Sequence, residues 1–466
     1  MLTYSFENKG KDSLYEFLYK SIRDDIVSGK LKTDEKLPSK RALAEHLSIS
    51  TITIENAYNQ LVAEGYIYSK PKSGFYVSAI VSPVVQGPAV KNIYPAGNES
   101  TDTTAYTADF SSNFASQESF PFVTWTKLMR QTMSDKREKL TFNSPSVGVR
   151  ELRCAISDYL FQFRGMSANP DCIVIGAGTE YLYSLIIQLL GRDKKYALED
   201  PGYRKIAQIY TANNVAFDYI PLDENGVDTA ALKESEADVL HISPSHHFPT
   251  GIVTPVSRRY ELLSWASEAD GRYIIEDDYD SEFRFSGRPI PSLQSIDNLD
   301  KVIYINTFSK SLTSTIRISY MVLPEELMAR YRKELSFYSC TVSNFEQYTL
   351  ASFIQQGYFE KHINRMRNYY RAQRDKVMTA IKNHPYYDKV SIKEEDSGLH
   401  FLMSIDTDLS DDELTEKARD RGVNLSCLSR YYHNRNTAPE HTLIINYSGL
   451  DKDRVDEAVV KLFECI

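Results

Sequence analysis

The sequence predicts a multidomain protein: a small α+β unit precedes a large α/β domain that ends in a smaller α+β segment. Three observations predict this. Residues 13–79 carry three apolar stripes at helical spacing, followed by a hairpin pattern. Residues 80–107 are rich in Pro, Gly, Ser and Thr and have no helical period, as a linker would. From about residue 108 onward, short apolar runs alternate with helical patterns, which is the pattern of a mostly parallel sheet covered on both faces. The domains are therefore expected at 11–79 and 108–466, joined by a linker over 80–107, with the small subdomain over about 325–466. At 466 residues the chain is long enough for about three domains.

In the first unit, Leu14, Phe17, Leu18, Ile22 and Ile26 repeat at helical spacing, and Gly29 ends that helix. Pro38-Ser39 starts a second helix, with Leu43 and Leu47 facing inward. Ser50 caps a third, whose buried stripe is Ile54, Ala57, Tyr58, Leu61 and Val62. Residues 66–69 and 75–77, separated by Lys-Pro-Lys-Ser-Gly, form a two-stranded hairpin. In the large domain, strands are expected at 172–175, 196–198, 217–220, 239–242, 273–275, 302–305 and 320–323. A helical region then runs to about 382. Strands at 400–405 and 442–447 and a last helix at 451–464 complete the chain.

Composition excludes several classes. No apolar run approaches the roughly 18 residues that span a bilayer, and the N-terminus has no apolar signal core, so a cytoplasmic location is expected. Five scattered cysteines without CxxC spacing argue against a disulfide framework and against a metal site. Net charge is −9 and uneven. Residues 1–80 hold 11 Lys+Arg against 10 Asp+Glu, and the remainder 43 against 53. The acidic part repels DNA, whereas the first unit can bind it if its cations share a face.

Three helices and a hairpin wing make a winged helix-turn-helix, in which the third helix enters the major groove. Its outward side chains include Thr51, Thr53, Asn56 and Asn59, preceded by Ser50. Ser39, Lys40 and Arg41 open helix two, where free N–H groups favour phosphate. Lys70, Lys72 and Ser73 lie on the wing.

Four segments of the large domain fit one cofactor, pyridoxal 5′-phosphate. Lys310 follows a strand, between the hydroxyls of Thr307 and Ser309 and the cation of Arg317, and can form a Schiff base with an aldehyde. In Ile274–Asp280 (IIEDDYD), Asp277 can pair with a protonated pyridine nitrogen and Tyr279 with the ring's phenolic oxygen. Gly178 and Thr179, in a glycine-rich turn that opens a helix, offer N–H groups to the phosphate, with Thr307, Ser309 and Arg317 completing the cup. Tyr203, after a tight turn, can stack on the ring.

Residues 13–77 closely resemble the DNA-binding domain of GntR-type regulators, through GKL…EKLPSKRALA and AYNQLVAEGY. That family often has arginine where this chain has Thr51. Residues 108–464 resemble the fold-type I aminotransferases. EDPGY, SPSHHFPTG, IEDDYDSEFRF and TFSKSLTSTIR match the MocR/GabR branch, in which a GntR-type domain is fused to an aminotransferase-like domain. This resemblance implies a fold-type I pyridoxal-phosphate domain with a small C-terminal subdomain, and a head-to-tail homodimer on a double-stranded DNA operator. It also implies an effector that is pyridoxal phosphate itself or a small amine or amino acid.

Two departures bear on activity. Phe248 stands where related enzymes place an asparagine on the phenolic oxygen, leaving His246 or His247 as substitutes. The late strand 442–448, with Ile444 near the expected position, lacks the usual carboxylate-gripping arginine. Arg430, Arg204 or Lys205 can serve in its place. The sequence therefore favours a transcription factor that senses a ligand through Lys310. The alternatives are a working aminotransferase with a DNA-binding module, and a cofactor-free dimerisation scaffold.

Overall fold

The computed structural model describes residues 2–4, 6, 12–79, 106–112, 120–285, 290–393 and 398–466. The chain divides into two compact units, Met1–Thr101 and Asp102–Ile466, at a break inside the stretch expected to be a linker. Residues 80–105 of that stretch, and residue 11, lie outside the described residues.

The first unit comprises α1 (Leu14–Val27), α2 (Lys40–Leu47), α3 (Thr51–Ala63), β1 (Ile67–Lys70) and β2 (Gly74–Val77). Serines start all three helices. Ser13 and Glu16 form a capping box, Ser39 Oγ accepts from Ala42 N–H, and Ser50 Oγ accepts from Ile52 N–H. Gly65, at φ +79°, ends α3 in the left-handed region and lets the chain turn directly into β1. Leu18, Ile22, Leu43, Ile54, Ala57, Tyr58 and Leu61 are fully buried together. Leu14 and Val62 belong to the periodic stripes but are exposed, because each sits at a helix end that overhangs the core.

In the second unit, eight strands form one sheet: β3 (Ile173–Gly176), β4 (Lys195–Asp200), β5 (Ala216–Asp223), β6 (Gly226–Val227), β7 (Val239–Ile242), β8 (Tyr273–Asp278), β9 (Val302–Thr307) and β10 (Ser319–Val322). Their order is β3-β10-β9-β8-β7-β4-β5-β6. The run β9-β8-β7-β4-β5 is parallel. β10 runs antiparallel to both of its neighbours, and β6 antiparallel to β5. The reversal of β10 follows from its short connection to β9, too short for the helical crossover that a parallel return needs. β7, β8, β9 and β10 are buried throughout, which explains their continuous apolar runs. The parallel centre aligns the carboxyl ends of β4, β7, β8 and β9 at one edge, where ligand sites of such sheets form.

The small subdomain is a three-stranded antiparallel sheet of β11 (Val390–Lys393), β12 (His400–Ile405) and β13 (Thr442–Asn446). It packs with the helices Tyr358–Lys382 and Val455–Glu464 on a separate core containing Phe401, Met403, Leu443, Ile445 and Leu462. A short parallel pairing of Ala108–Asp109 with Val423–Asn424 ties the start of the unit into this subdomain. Among the described residues, all five cysteines are free and no cluster is arranged to hold a metal ion. No helix among them is long and apolar enough to cross a membrane.

Ile54→Ala, at a fully buried position, is expected to destabilise the first unit by about 2–4 kcal/mol. Val62→Ala, at an exposed position, should stay within about 0.5 kcal/mol. The urea midpoint of the helical circular dichroism signal checks both.

Candidate functional site

The carboxyl edge of the sheet opens into a cavity of about 490 Å³. It is lined by Gly178, Thr179, Tyr203, Asp277, Tyr279, Thr307, Ser309, Lys310 and Arg317. These nine residues, picked from four separate segments, come from β8, from the ends of β3, β4 and β9, and from the loop before β10.

Asp277 is buried near the end of β8. Tyr183 Oη donates to its Oδ2, and His241 Nε2 lies 3.8 Å from the same oxygen. His241 is set in turn by a 2.8 Å contact between its Nδ1 and Tyr210 Oη. Asp277 Oδ1 has no hydrogen-bond partner among the described residues. A buried, orphaned carboxylate oxygen facing a cavity fits a protonated ring nitrogen.

Lys310 lies in the turn of helix Phe308–Ser311, directly after β9. Burial pushes its amine below the usual lysine range, while Asp280 opposes that shift. Tyr279 stays a phenol, its pKa raised by burial first and by Asp280 next. Its hydroxyl lies 3.3 Å from His246 Nδ1, which contacts Asp280 Oδ2 at 2.8 Å.

The residues expected to form a phosphate cup line this cavity together. Gly178 N–H is already committed to Gly176 O at 3.0 Å, so the amides left open at this turn are those of the helix that Thr179 opens. Gly178 suits the turn for a different reason: its φ of +93° is strained for any other L residue, and the mobile end of Arg317 occupies the space a Cβ would take. Ser309 N–H and Ser319 Oγ donate to Thr307 Oγ1 at 3.1 and 2.8 Å, and Thr307 Oγ1 donates to Ser309 Oγ at 3.0 Å. Arg317 Nη2 reaches Glu180 Oε2 at 3.4 Å, and Lys205 Nζ pairs with Glu180 Oε1.

Tyr203 is half exposed and packs edge-on against Phe248, centroids 6.0 Å apart. Phe248 also meets His400 and Tyr431 edge-on, at 5.3 and 5.1 Å. It thereby joins the large and small subdomains through ring contacts. His246 and His247 are not among the cavity-lining residues. Of the three candidate carboxylate grips, Arg204 and Lys205 line the cavity. Arg430 does not: its Nη2 donates to Thr415 Oγ1 at 2.7 Å, while Tyr431, Tyr432 and His433 beside it line the wall.

Sequence reasoning missed Tyr183, His241 and Glu199. Glu199 is buried in the cavity wall, accepting from Ser243 N–H at 2.9 Å and facing His247 Nε2 at 3.5 Å. Burial raises its pKa to about 8 and lowers that of His247 to about 3, so at neutral pH this is a neutral pair. The available signal was the position of Glu199 at the end of β4, in register with the other site strands.

In the first unit, Ser39 and Ser50 are spent on caps yet stay exposed, as do Arg41, Thr51, Asn56, Lys70, Lys72 and Ser73. Thr53 is half-buried. Lys40 pairs with Glu55 at 2.6 Å. Lys70 lies over the rings of Tyr76 and Tyr68, at 4.5 and 5.4 Å, which holds it on the wing.

The carboxyl of Glu199 binds more protons folded than unfolded between about pH 4.5 and 8. Its contribution to stability is thus present at low pH and lost as pH rises through that window, with a slope of up to ~1.4 kcal/mol per pH unit. Glu199→Gln, which can still accept from Ser243 N–H, should remove this fall in urea stability, most plainly between pH 6.5 and 8, above the range in which the lowered His247 has the opposite slope.

Residues 108–462 match the family described as aminotransferase class I and II, and residues 14–77 the gntR family of bacterial regulatory proteins. The HTH-type transcriptional regulator YdeL of Bacillus subtilis is 37% identical over 96% of each chain. The probable rhizopine catabolism regulatory protein MocR of Rhizobium meliloti is 30% identical over 96% of this chain and 93% of its own. Among solved structures, the Pyrococcus horikoshii kynurenine aminotransferase superposes with a TM-score of 0.67 at 24% identity, covering 78% of this chain and 91% of that one. A GntR-type reader joined to an aminotransferase class I and II fold, with full-length similarity to MocR, places the chain in the MocR-type family of HTH transcriptional regulators.

Proposed function

We propose that this regulator binds pyridoxal 5′-phosphate at Lys310 and converts the binding of that cofactor, or of a small amine or amino acid, into a change in DNA affinity. The observation that carries this reading is the pairing, in one cavity, of a half-buried lysine with a buried aspartate that has an unanswered oxygen. When bound, the cofactor supplies an aldehyde that condenses reversibly with amines. Lys310 would offer the amine for that aldehyde, Asp277 would pair with the ring nitrogen, and Tyr279 would donate to the phenolic oxygen. Thr307, Ser309, Arg317 and the helix begun by Thr179 would hold the phosphate, and Tyr203 would contribute its ring to the cofactor's surroundings.

Arg204 is the favoured grip for an effector carboxylate. It lines the cavity and makes no ion pair among the described residues, whereas Lys205 is tied to Glu180. Sensing is favoured over turnover because β13 lacks the arginine clamp and Phe248 replaces the amide. Without an oriented clamp, chemistry on a bound amino acid is slow, but displacement of Lys310 still registers the ligand. The protein would act in the cytoplasm as a homodimer on an operator, with Arg41, Lys70 and Lys72 on phosphates and α3 in the groove.

Titration with pyridoxal phosphate should give wild type a visible absorption band that Lys310→Ala lacks. Equal spectra would overturn the reading. Arg204→Ala should shift the amino-acid concentration that changes DNA affinity by about 10-fold or more. Sustained product from an amino donor and a keto acid would instead favour the enzyme.

A further inference from the structure

We propose that Ile52 is a specificity-determining residue of the DNA reader, and that it packs against the C5-methyl group of a thymine in the operator. The proposal rests on the DNA-binding reading of the first unit and adds what that unit reads.

Ile52 is 67% exposed, more than the other large apolar side chains left outside the core of this unit, Leu14, Val27 and Val62 at 37, 48 and 38%. Those three lie near the ends or outer faces of α1 and α3. Ile52 lies in the first turn of α3, the part of a recognition helix that meets base edges. Its backbone is fixed there, because Ile52 N–H donates to the cap Ser50 Oγ at 3.2 Å. One turn on, at i+3 and i+4, the same face presents Glu55 and Asn56. The Glu55 carboxylate is neutralised by Lys40 at 2.6 Å.

The sequence of α3, TITIENAYNQLVA, contains no lysine or arginine. It therefore lacks the side chains that grip guanine through O6 and N7, and readout falls on neutral groups. In the major groove, the feature an aliphatic side chain can recognise is the thymine methyl, while an amide such as Asn56 suits adenine N6 and N7. An isoleucine held outward on this face gains from burying a methyl group, and from no other base-edge feature.

The test uses the full-length protein and a random duplex pool. The enriched site is remade with each thymine in turn replaced by deoxyuridine, which deletes only the methyl group. Wild type should lose about four-fold in affinity at one or more positions of the site, the worth of one buried methyl. Ile52→Ala should bind the thymine and deoxyuridine versions of that position equally, with an unchanged melting temperature because the side chain is exposed. If no deoxyuridine weakens wild type, or if Ile52→Ala keeps the same sensitivity at every position, the proposal is overturned while DNA binding stands. A pool with no enriched sequence would overturn the DNA-binding reading and the proposal with it.

Discussion

One carboxylate with an unanswered oxygen, Asp277, constrains the large domain more than any other group. It sits near the end of a strand whose neighbours on both sides are parallel and buried. An ionised carboxylate in such a place costs several kcal/mol unless it is paired or hydrogen-bonded. The protein answers half of it, with Tyr183 from the helix after β3 and His241 from β7, itself set by Tyr210. The chain Tyr210–His241–Asp277–Tyr183 thus links elements packed against the sheet to the strands at its centre. The other oxygen is left for something that enters the cavity. An oxygen left open in a residue that lines the cavity suits a positively charged, hydrogen-bonding ring.

The electrostatics of the cavity divide into two regimes. Against the sheet, desolvation dominates. Glu199 and His247 are driven neutral, and the Lys310 amine is pushed down towards its nucleophilic form while Asp280 limits that shift. At the mouth, charges remain paired in the open, with Glu180 shared by Lys205 and Arg317. Exposed pairs of this kind are worth little, so an arriving phosphate can take Arg317 from Glu180 at small cost. Filling the cavity with such a group would exchange a weak surface pair for a tighter one and supply a partner for Asp277. Both exchanges would favour the occupied state.

Much of this was legible in the sequence, for identifiable reasons. Strands at the sheet centre announce themselves because burial on both faces leaves a short apolar run, Tyr273–Ile275 in β8 and Val302–Ile305 in β9. Lys310, Asp277 and Tyr279 follow such runs and are chemically conspicuous. Other features depend on packing that sequence spacing does not encode. Tyr183 is one of 32 tyrosines, and only the fold shows that it faces Asp277. Arg430 lies beside three cavity-lining residues, yet its guanidinium turns to Thr415. Edge strand β11 alternates half-buried and exposed positions and was not expected, because a half-solvated edge leaves a weak apolar signal. Gly178 was expected to matter for its N–H, whereas its φ of +93° is what favours glycine there.

The DNA reader shows a division of labour that suits a switch. Beside α3 its cations are Lys40 and Arg41 on α2 and Lys70 and Lys72 on the wing, and Lys40 is already partnered by Glu55. Few cations on that side mean few released counterions there, and hence a weak sequence-independent grip. The net negative charge of the remainder of the chain adds nothing to that grip. Affinity for an operator must then come from the fit of neutral α3 side chains in the groove, which is short-ranged and sensitive to position. A strongly cationic reader would stay on DNA through small displacements by exchanging one phosphate contact for another. A reader that depends on van der Waals contact and amide hydrogen bonds loses them over about an ångström. The 1–3 kcal/mol typical of coupling between sites is on the order of the free energy such contacts supply, so under the proposed function a ligand event at Lys310 would have enough leverage to decide whether the operator is held.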